Sequence, residues 1–318
     1  MKQQSNWYGK PYYSLDAYCK ETFGEKLYKV TLNANMTCPN RDGTLDTRGC
    51  IFCSKGGSGD FAASIPSADP ASAIREAFQQ GKSQLSGKRP VHKYIAYFQA
   101  FTNTYAPIPY LRDIYCAALS IPEVAGISIA TRPDCLGEEV LTLLCRLKSE
   151  YAPKFIWLEL GLQTIHEATA AFIRRGYPLS CFEQALWQLD RLGIPVIVHT
   201  ILGLPNETPE MVLQTISYLN TVPIQGIKLQ LLHVLKDTDL AKYYLQGHYT
   251  PLTFDEYLTL LIQCIEHLPP ERMIHRLTGD APKDLLLAPL WSEKKRTFLN
   301  TLHHTMKQMD SWQGKALS

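Results

Sequence analysis

This 318-residue chain has no long apolar run. A membrane-spanning helix needs about 18 or more consecutive apolar residues, and the best stretch here, 194–204, is broken by Pro195 and His199. The opening Met-Lys-Gln-Gln-Ser-Asn holds no apolar segment of the kind a secretory signal carries. Charge of one sign is missing too: 32 basic residues stand against 30 acidic ones, a net charge of +2. That balance argues neither for nor against a nucleic-acid partner, because local patches outweigh the sum. The nine cysteines are an odd number, and six (Cys19, Cys116, Cys135, Cys145, Cys181, Cys264) lie singly, so no disulfide framework of a small secreted domain is expected. Two phosphate-loop look-alikes also fail. Gly56-Gly57-Ser58-Gly59 follows no strand, and Gly81-Lys82-Ser83 has Glu76 where a P-loop needs its first glycine. The expectation is a soluble, cytoplasmic protein with reduced thiols and no membrane partner.

What is present is a cysteine triplet. Thr37-Cys38-Pro39-Asn40 is followed by Arg48-Gly49-Cys50-Ile51-Phe52-Cys53. The C-x-x-C half alone fits zinc ribbons and redox dithiols equally. Three thiolates rather than four suggest an iron–sulfur cluster with one iron left open to bind a small molecule, whereas structural zinc and electron-transfer clusters usually take four protein ligands. No second cysteine cluster is present, so no auxiliary cluster is expected, and the six single cysteines read as small core residues.

Short apolar runs alternate with amphipathic helical patterns. Strands are expected over 28–32, 93–98, 126–130, 155–160, 196–201 and 226–232, several apolar on both faces as buried parallel strands are. Helices are expected from Asp69-Pro70, Gly137, Ser180 and Thr208-Pro209, with a long one over 253–268. Repeated strand–helix units imply an α/β fold with right-handed crossovers and a parallel sheet. Six units are too few for a closed eight-fold barrel; 272–277 adds one more strand, and a basic helical tail from Trp291 packs outside. Chemistry in such folds gathers at the C-terminal strand ends. Polar residues gather there: Gln99, Thr102, Asn103 and Thr104; Thr131 and Arg132; Glu159 and Gln163; His199 and Thr200; Gln230 and His233. The segment 275–280 is placed to line the barrel mouth.

A strand, then a cysteine triplet with an aromatic before its last member, then a partial (β/α)6 barrel resembles the radical S-adenosylmethionine (SAM) superfamily. The eleven-residue first gap departs from its usual C-x3-C-x2-C and resembles the subgroup containing the Elongator catalytic subunit. Ala130-Thr131-Arg132-Pro133-Asp134, Leu158-Glu159-Leu160-Gly161-Leu162-Gln163-Thr164, Arg174-Arg175-Gly176-Tyr177 and Leu202-Gly203-Leu204-Pro205-Asn206-Glu207-Thr208 are similar to that subgroup's motifs. Tyr97-Phe98-Gln99-Ala100-Phe101-Thr102-Asn103-Thr104-Tyr105-Ala106 is similar to a pattern of the bacterial YtqA/YhcC-type family. The resemblance spans residues 6–290.

It implies a radical SAM partial barrel over 28–270, with an N-terminal extension over 1–27 and a strand/helix extension over 271–318. It also implies that Cys38, Cys50 and Cys53 bind three irons of a [4Fe–4S] cluster whose fourth iron chelates S-adenosylmethionine. Phe52 would pack on the adenine, and Glu159 would meet the ribose hydroxyls or the methionine amine. Arg132 would hold the methionine carboxylate or pair with Glu159, while Gln99, Asn103 and Gln163 would add cofactor contacts. A flavodoxin- or ferredoxin-type electron donor is implied, and no zinc. His199, Gln230, Arg174 and Arg175 are the candidate substrate contacts. Basic residues at Lys82, Lys88, Arg89, His92 and Lys93, at Arg174-Arg175 and at 294–296, with Tyr8, Tyr12 and Tyr13, would grip RNA if they face the mouth; their other reading is solvated surface. The resemblance points to tRNA, with removal of the carboxymethyl part of 5-carboxymethylaminomethyluridine at the wobble position. The alternatives are a radical SAM enzyme acting on a small molecule or peptide, and a non-catalytic iron–sulfur or zinc protein.

Overall fold

The computed structural model describes residues 7–57, 69–85, 87 and 90–317; Ser58, Gly59, Lys88 and Arg89 of the segments above lie outside them. The chain runs α1 (Leu15–Phe23), β1 (Tyr28–Leu32), α2 (Pro70–Ser83), β2 (Tyr94–Phe98), α3 (Ile108–Leu119), β3 (Val124–Thr131) and α4 (Glu138–Glu150). It continues through β4 (Phe155–Gln163), α5 (Glu167–Phe172), α6 (Leu179–Arg191), β5 (Val196–Leu202), α7 (Pro209–Leu219) and β6 (Gly226–Leu231). The last part holds β7 (Val234–Leu235), α8 (Asp239–Leu245), α9 (Phe254–Glu266), β8 (Met273–Arg276), β9 (Leu286–Ala288) and α10 (Lys295–Gln308).

Seven strands form one parallel sheet in the order β1-β2-β3-β4-β5-β6-β8, curled into a half-barrel; β7 and β9 make a separate antiparallel pair. Six expected strand segments and the added seventh are all present. The outward-facing side chains of the strands pack on the helices, so Leu158, Leu160, Val198, Ile227 and Leu229 are fully buried. Burial on both faces explains the continuous apolar runs. Helix starts follow capping chemistry: the side chains of Asp69, Thr208 and Thr253 each accept a first-turn N–H. α6 starts differently from expectation, with Pro178 rather than Ser180 at its N-cap and no side-chain cap. α10 buries Phe298, Leu302 and Met306, a stripe at four-residue spacing turned to the core. At the N-terminal end of the half-barrel, Tyr18 and Phe23 of α1 cover Trp157 and Phe155. That plug leaves the C-terminal strand ends as the open side. Among the described residues no helix is long and apolar enough to cross a membrane.

Candidate active site

A cavity of about 260 Å³ opens at the C-terminal strand ends, and all three triplet cysteines line it. The loop that carries them is bracketed by the segment after α5. Asn40 donates from Nδ2 to the Arg174 carbonyl (2.7 Å) and lies 3.6 Å from Cys50 Sγ. Arg174 donates from Nε to the Gly49 carbonyl (2.8 Å) and pairs through Nη2 with Asp239 (2.7 Å). Arg41 donates to the carbonyls of Cys53 (3.0 Å) and Ser54 (2.6 Å). Gly176 is required here: its φ is +85°, and a Cβ would stand 2.7 Å from Asn40 Oδ1. The Arg174-Arg175-Gly176 motif is therefore a clamp on the cysteine loop.

The donor set fits an iron–sulfur cluster. A hydrogen bond with Cys53 and burial hold the Cys50 thiol well above its ordinary pKa. Such a thiol becomes a thiolate ligand when a metal's charge compensates it. Room for a second ligand shows in orphaned polar atoms: Thr102 Oγ1, Gln163 Oε1 and His233 Nε2 are buried beside the cavity without partners among the described residues. Unpaired buried groups are costly unless something occupies the site. Gln163 is aimed there by a bulge in β4, where its φ of +65° breaks the register after Gly161. Phe52, Gln99, Arg132, Gln230 and Tyr177 also line the cavity.

The floor is a buried charge network. Glu159 is 0% exposed, and both its oxygens are filled. Oε1 accepts from Lys29 Nζ (2.5 Å) and Ser128 Oγ (2.6 Å), and Oε2 accepts from His199 Nε2 (2.7 Å) and Lys228 Nζ. Lys228 also donates to the Tyr97 hydroxyl (2.9 Å). A carboxylate offers about four acceptor sites, so Glu159 is saturated by protein donors. This corrects the expected pairing of Glu159 with Arg132. Arg132 instead forks onto Asp134 (2.9 and 2.7 Å) and donates to the Arg175 carbonyl (3.0 Å), because Asp134 is only two residues away on the same turn.

Burial would raise the Glu159 pKa, but Lys228, Lys29 and His199 outweigh it and hold the carboxyl well below its usual range. Burial, then Lys228, pulls His199 down to about 4 despite the carboxylate, so its Nε2–H donates from a neutral ring at pH 7. Burial also takes His233 to about 4. The unfolded chain protonates both near pH 6.5, before the folded chain can. Stability is therefore full above pH 6.5 and falls as pH drops toward 4, by up to about 1.4 kcal/mol per pH unit for each histidine. Urea titrations at pH 7 and pH 5 test this: a lower midpoint at pH 5 is expected, and the difference shrinks in a His199→Gln, His233→Gln double variant.

Other expected contacts move. Asn103 is fully buried and braces the loop after β2, with Nδ2 on the carbonyls of Ala100 (3.0 Å) and Ala130 (2.9 Å); it does not line the cavity. Arg175 is 2% exposed and bolted to the carbonyls of Tyr177, Leu162 and Thr164 and to Glu167, so it is no open grip for RNA. Lys82, His92 and Lys93 lie toward the N-terminal end of β2, away from the mouth, and Lys82 pairs with Glu123 there. Tyr12 is buried against His303, and Tyr13 donates to Glu21. The reading from sequence missed Lys29, Lys228, Asn40 and Arg41. For the two lysines the signal existed: an ionisable residue inside an apolar strand, the same anomaly that marked Glu159.

The Radical SAM superfamily pattern matches residues 47–219, and the Radical_SAM C-terminal domain matches 224–308. The chain is 41% identical over 306 residues to YtqA of Bacillus subtilis (96% of this chain, 92% of that protein). It is 27% identical over 168 residues to the tRNA uridine(34) acetyltransferase of Dehalococcoides mccartyi, covering 52% of this chain and 35% of that one. The structure of an N-terminally deleted Elp3 from Methanocaldococcus infernus superposes with a TM-score of 0.65 at 16% identity, covering 90% of this chain and 64% of that chain. Members of the superfamily use a [4Fe–4S] cluster and S-adenosylmethionine. With the cysteine-lined cavity at the open end of a parallel half-barrel, these matches place the chain in the radical SAM superfamily, within the YtqA/YhcC-type family.

Proposed function

We propose that this radical SAM enzyme acts on tRNA, converting the wobble nucleoside 5-carboxymethylaminomethyluridine to 5-aminomethyluridine. The observation that carries the substrate is the match of half this chain to a protein named for uridine 34 of tRNA. That match takes in 35% of the relative, so its acetyl transfer is not carried over. The cavity suits the chemistry, since its wall joins three thiols to a set of hydrogen-bond donors.

In this reading Cys38, Cys50 and Cys53 each hold one iron. Bound there, the cluster and S-adenosylmethionine would supply a two-electron, hydrogen-abstracting oxidation of the carboxymethyl carbon beside the substrate amine, with S-adenosylmethionine split to methionine and 5′-deoxyadenosine, and water would open the resulting substrate imine to the aminomethyl group and glyoxylate. The chain's own residues bind, orient and exclude water. Phe52 packs on the adenine. Gln99 and Gln163 offer amide contacts, and Arg132 keeps two of its five N–H donors for a carboxylate after its three observed bonds. Asn40, Arg174 and Arg175 position the cysteine loop. Glu159 holds Lys29, Lys228 and His199 in place rather than touching the ribose itself. A flavodoxin- or ferredoxin-type protein of the cytoplasm delivers the electron.

The test is anaerobic turnover of the reconstituted enzyme with reductant, S-adenosylmethionine and tRNA from cells lacking this protein. Mass spectrometry follows 5′-deoxyadenosine and the tRNA nucleosides together. The expected result is deoxyadenosine formed with loss of the carboxymethyl group from the wobble uridine. Deoxyadenosine with unchanged tRNA sinks the substrate assignment and leaves the radical chemistry standing.

A further inference from the structure

Gly161, His199, Lys228 and Arg276 stand on one rung of the sheet, each the register partner of the next across β4, β5, β6 and β8. All four line the cavity. Gly161 adds no side chain, and the Gln163 amide and the Tyr177 hydroxyl stand 3.0 and 3.2 Å from where its Cβ would be, so the rung itself presents a row of three nitrogen-bearing groups. Two of them, His199 and Lys228, are tied to Glu159. Arg276 is not. Its one acidic neighbour, Asp280, is 3.9 Å away and is held instead by Lys295 at 2.6 and 2.8 Å. The Arg276 side chain makes no hydrogen bond among the described residues, although only about a third of it is exposed (34%). A half-buried guanidinium whose only acidic contact among the described residues is 3.9 Å away has unmet bonding capacity, and its planar fork matches a carboxylate bidentately. Next to it, Gln230 and the unpartnered His233 Nε2 also border the cavity, and Gly279 leaves the His233 ring its space, since a Cβ would stand 3.1 Å from Cε1.

We infer that Arg276, with Lys228 behind it, is the anchor for a carboxylate on the substrate. The inference takes this cavity as the substrate site of the proposed reaction, and it adds that the enzyme selects its substrate by an acidic group. Two carboxylates are available to the cavity, the substrate's and the methionine carboxylate of S-adenosylmethionine. The geometry favours the substrate's. Arg276 lies on the last strand of the sheet, whereas the cysteine loop follows the first.

The test is anaerobic binding to cluster-loaded wild type, Arg276→Gln and Arg276→Lys, with two probe pairs. One pair is an anticodon stem-loop carrying 5-carboxymethylaminomethyluridine and the same stem-loop with that acid as its primary amide. The other is N-benzylglycine and N-benzylglycinamide, which needs no RNA. Wild type is expected to prefer acid over amide by about 10–100-fold. Arg276→Gln should lose that preference, Arg276→Lys should keep part of it, and both should bind S-adenosylmethionine as wild type does. A change confined to packing would not move the acid-to-amide ratio. Equal binding of acid and amide by wild type overturns the inference, as does an unchanged ratio in Arg276→Gln. Parallel loss of S-adenosylmethionine affinity also overturns it, by assigning Arg276 to the cofactor. Discrimination between the small acid and its amide without any stem-loop binding upholds the carboxylate site and sinks the tRNA assignment. Stem-loop binding indifferent to the acid does the reverse, and no binding of either pair counts against both.

Discussion

Replacing Glu159 with alanine is expected to destabilise the fold by about 3–5 kcal/mol, the cost of breaking a buried ion pair from one side. The carboxylate is the shared acceptor of Lys29, Lys228, His199 and Ser128. Its removal leaves Lys228, only 3% exposed, with the Tyr97 hydroxyl and no counter-charge. Burial already draws Lys228 well below the ordinary lysine range, with Lys29 and Arg276 adding to the pull. Without Glu159 the amine either loses its proton or stays charged at a desolvation cost, and both outcomes lower stability. The second arm is the double variant Glu159→Ala, Lys228→Met. It removes the stranded charge, so it should recover a large part of the loss, a non-additivity that neighbours in one network show. Urea unfolding of the three variants measures this. A loss below about 1 kcal/mol for Glu159→Ala, in the range of exposed ion pairs, would mean that water reaches the network and that the floor is not the dry site described above.

The largest effect on activity is expected at the cysteine triplet. In the proposed reading Cys50→Ala removes one of the three thiolates that hold the cluster, so 5′-deoxyadenosine formation should fall to background and bound iron and sulfide should drop with it. Asn40→Ala provides the graded contrast. Asn40 lies 3.6 Å from Cys50 Sγ and ties the cysteine loop to the Arg174 carbonyl, without being a ligand itself. Loss of such an outer contact costs about 10–100-fold in metal affinity or activity. Iron content near wild type with reduced turnover would mark Asn40 as a positioning residue. A Cys50→Ala protein that retained both its iron and deoxyadenosine formation would exclude Cys50 as a ligand and break the reading of the triplet.

The amount legible in the sequence differs between the sheet and the site. The sheet was legible because parallel strands buried on both faces must be continuous apolar runs; the first expected strand, 28–32, coincides with β1. Capping chemistry is equally local, which is why Asp69 and Thr208 marked their helices. α3 escaped because its apolar residues extend beyond one stripe, with Tyr115, Ala117, Ala118 and Leu119 all buried, so the helical period is blurred. α5 and α8 are short, with 6 and 7 residues, and offer little periodicity to read.

At the site, sequence by itself determined the residue types: three cysteines in one loop, a carboxylate in an apolar strand, polar groups at the strand ends. Those features are local, set by spacing within a few residues and by the cost of burying charge. Only the tertiary structure decided who pairs with whom. Glu159 meets Lys29 across 130 residues of chain and Lys228 across 69, and no periodicity encodes that distance. The fold took Arg132 from Glu159 and gave it to Asp134, withdrew Arg175 and Asn103 into the frame, and left Arg276 on the cavity wall with only a 3.9 Å contact to Asp280 among the described residues. The physical reason is that strand register and sheet curvature, products of the whole packed sheet, fix which side chains share a rung, whereas each residue's own chemistry is already complete in the chain.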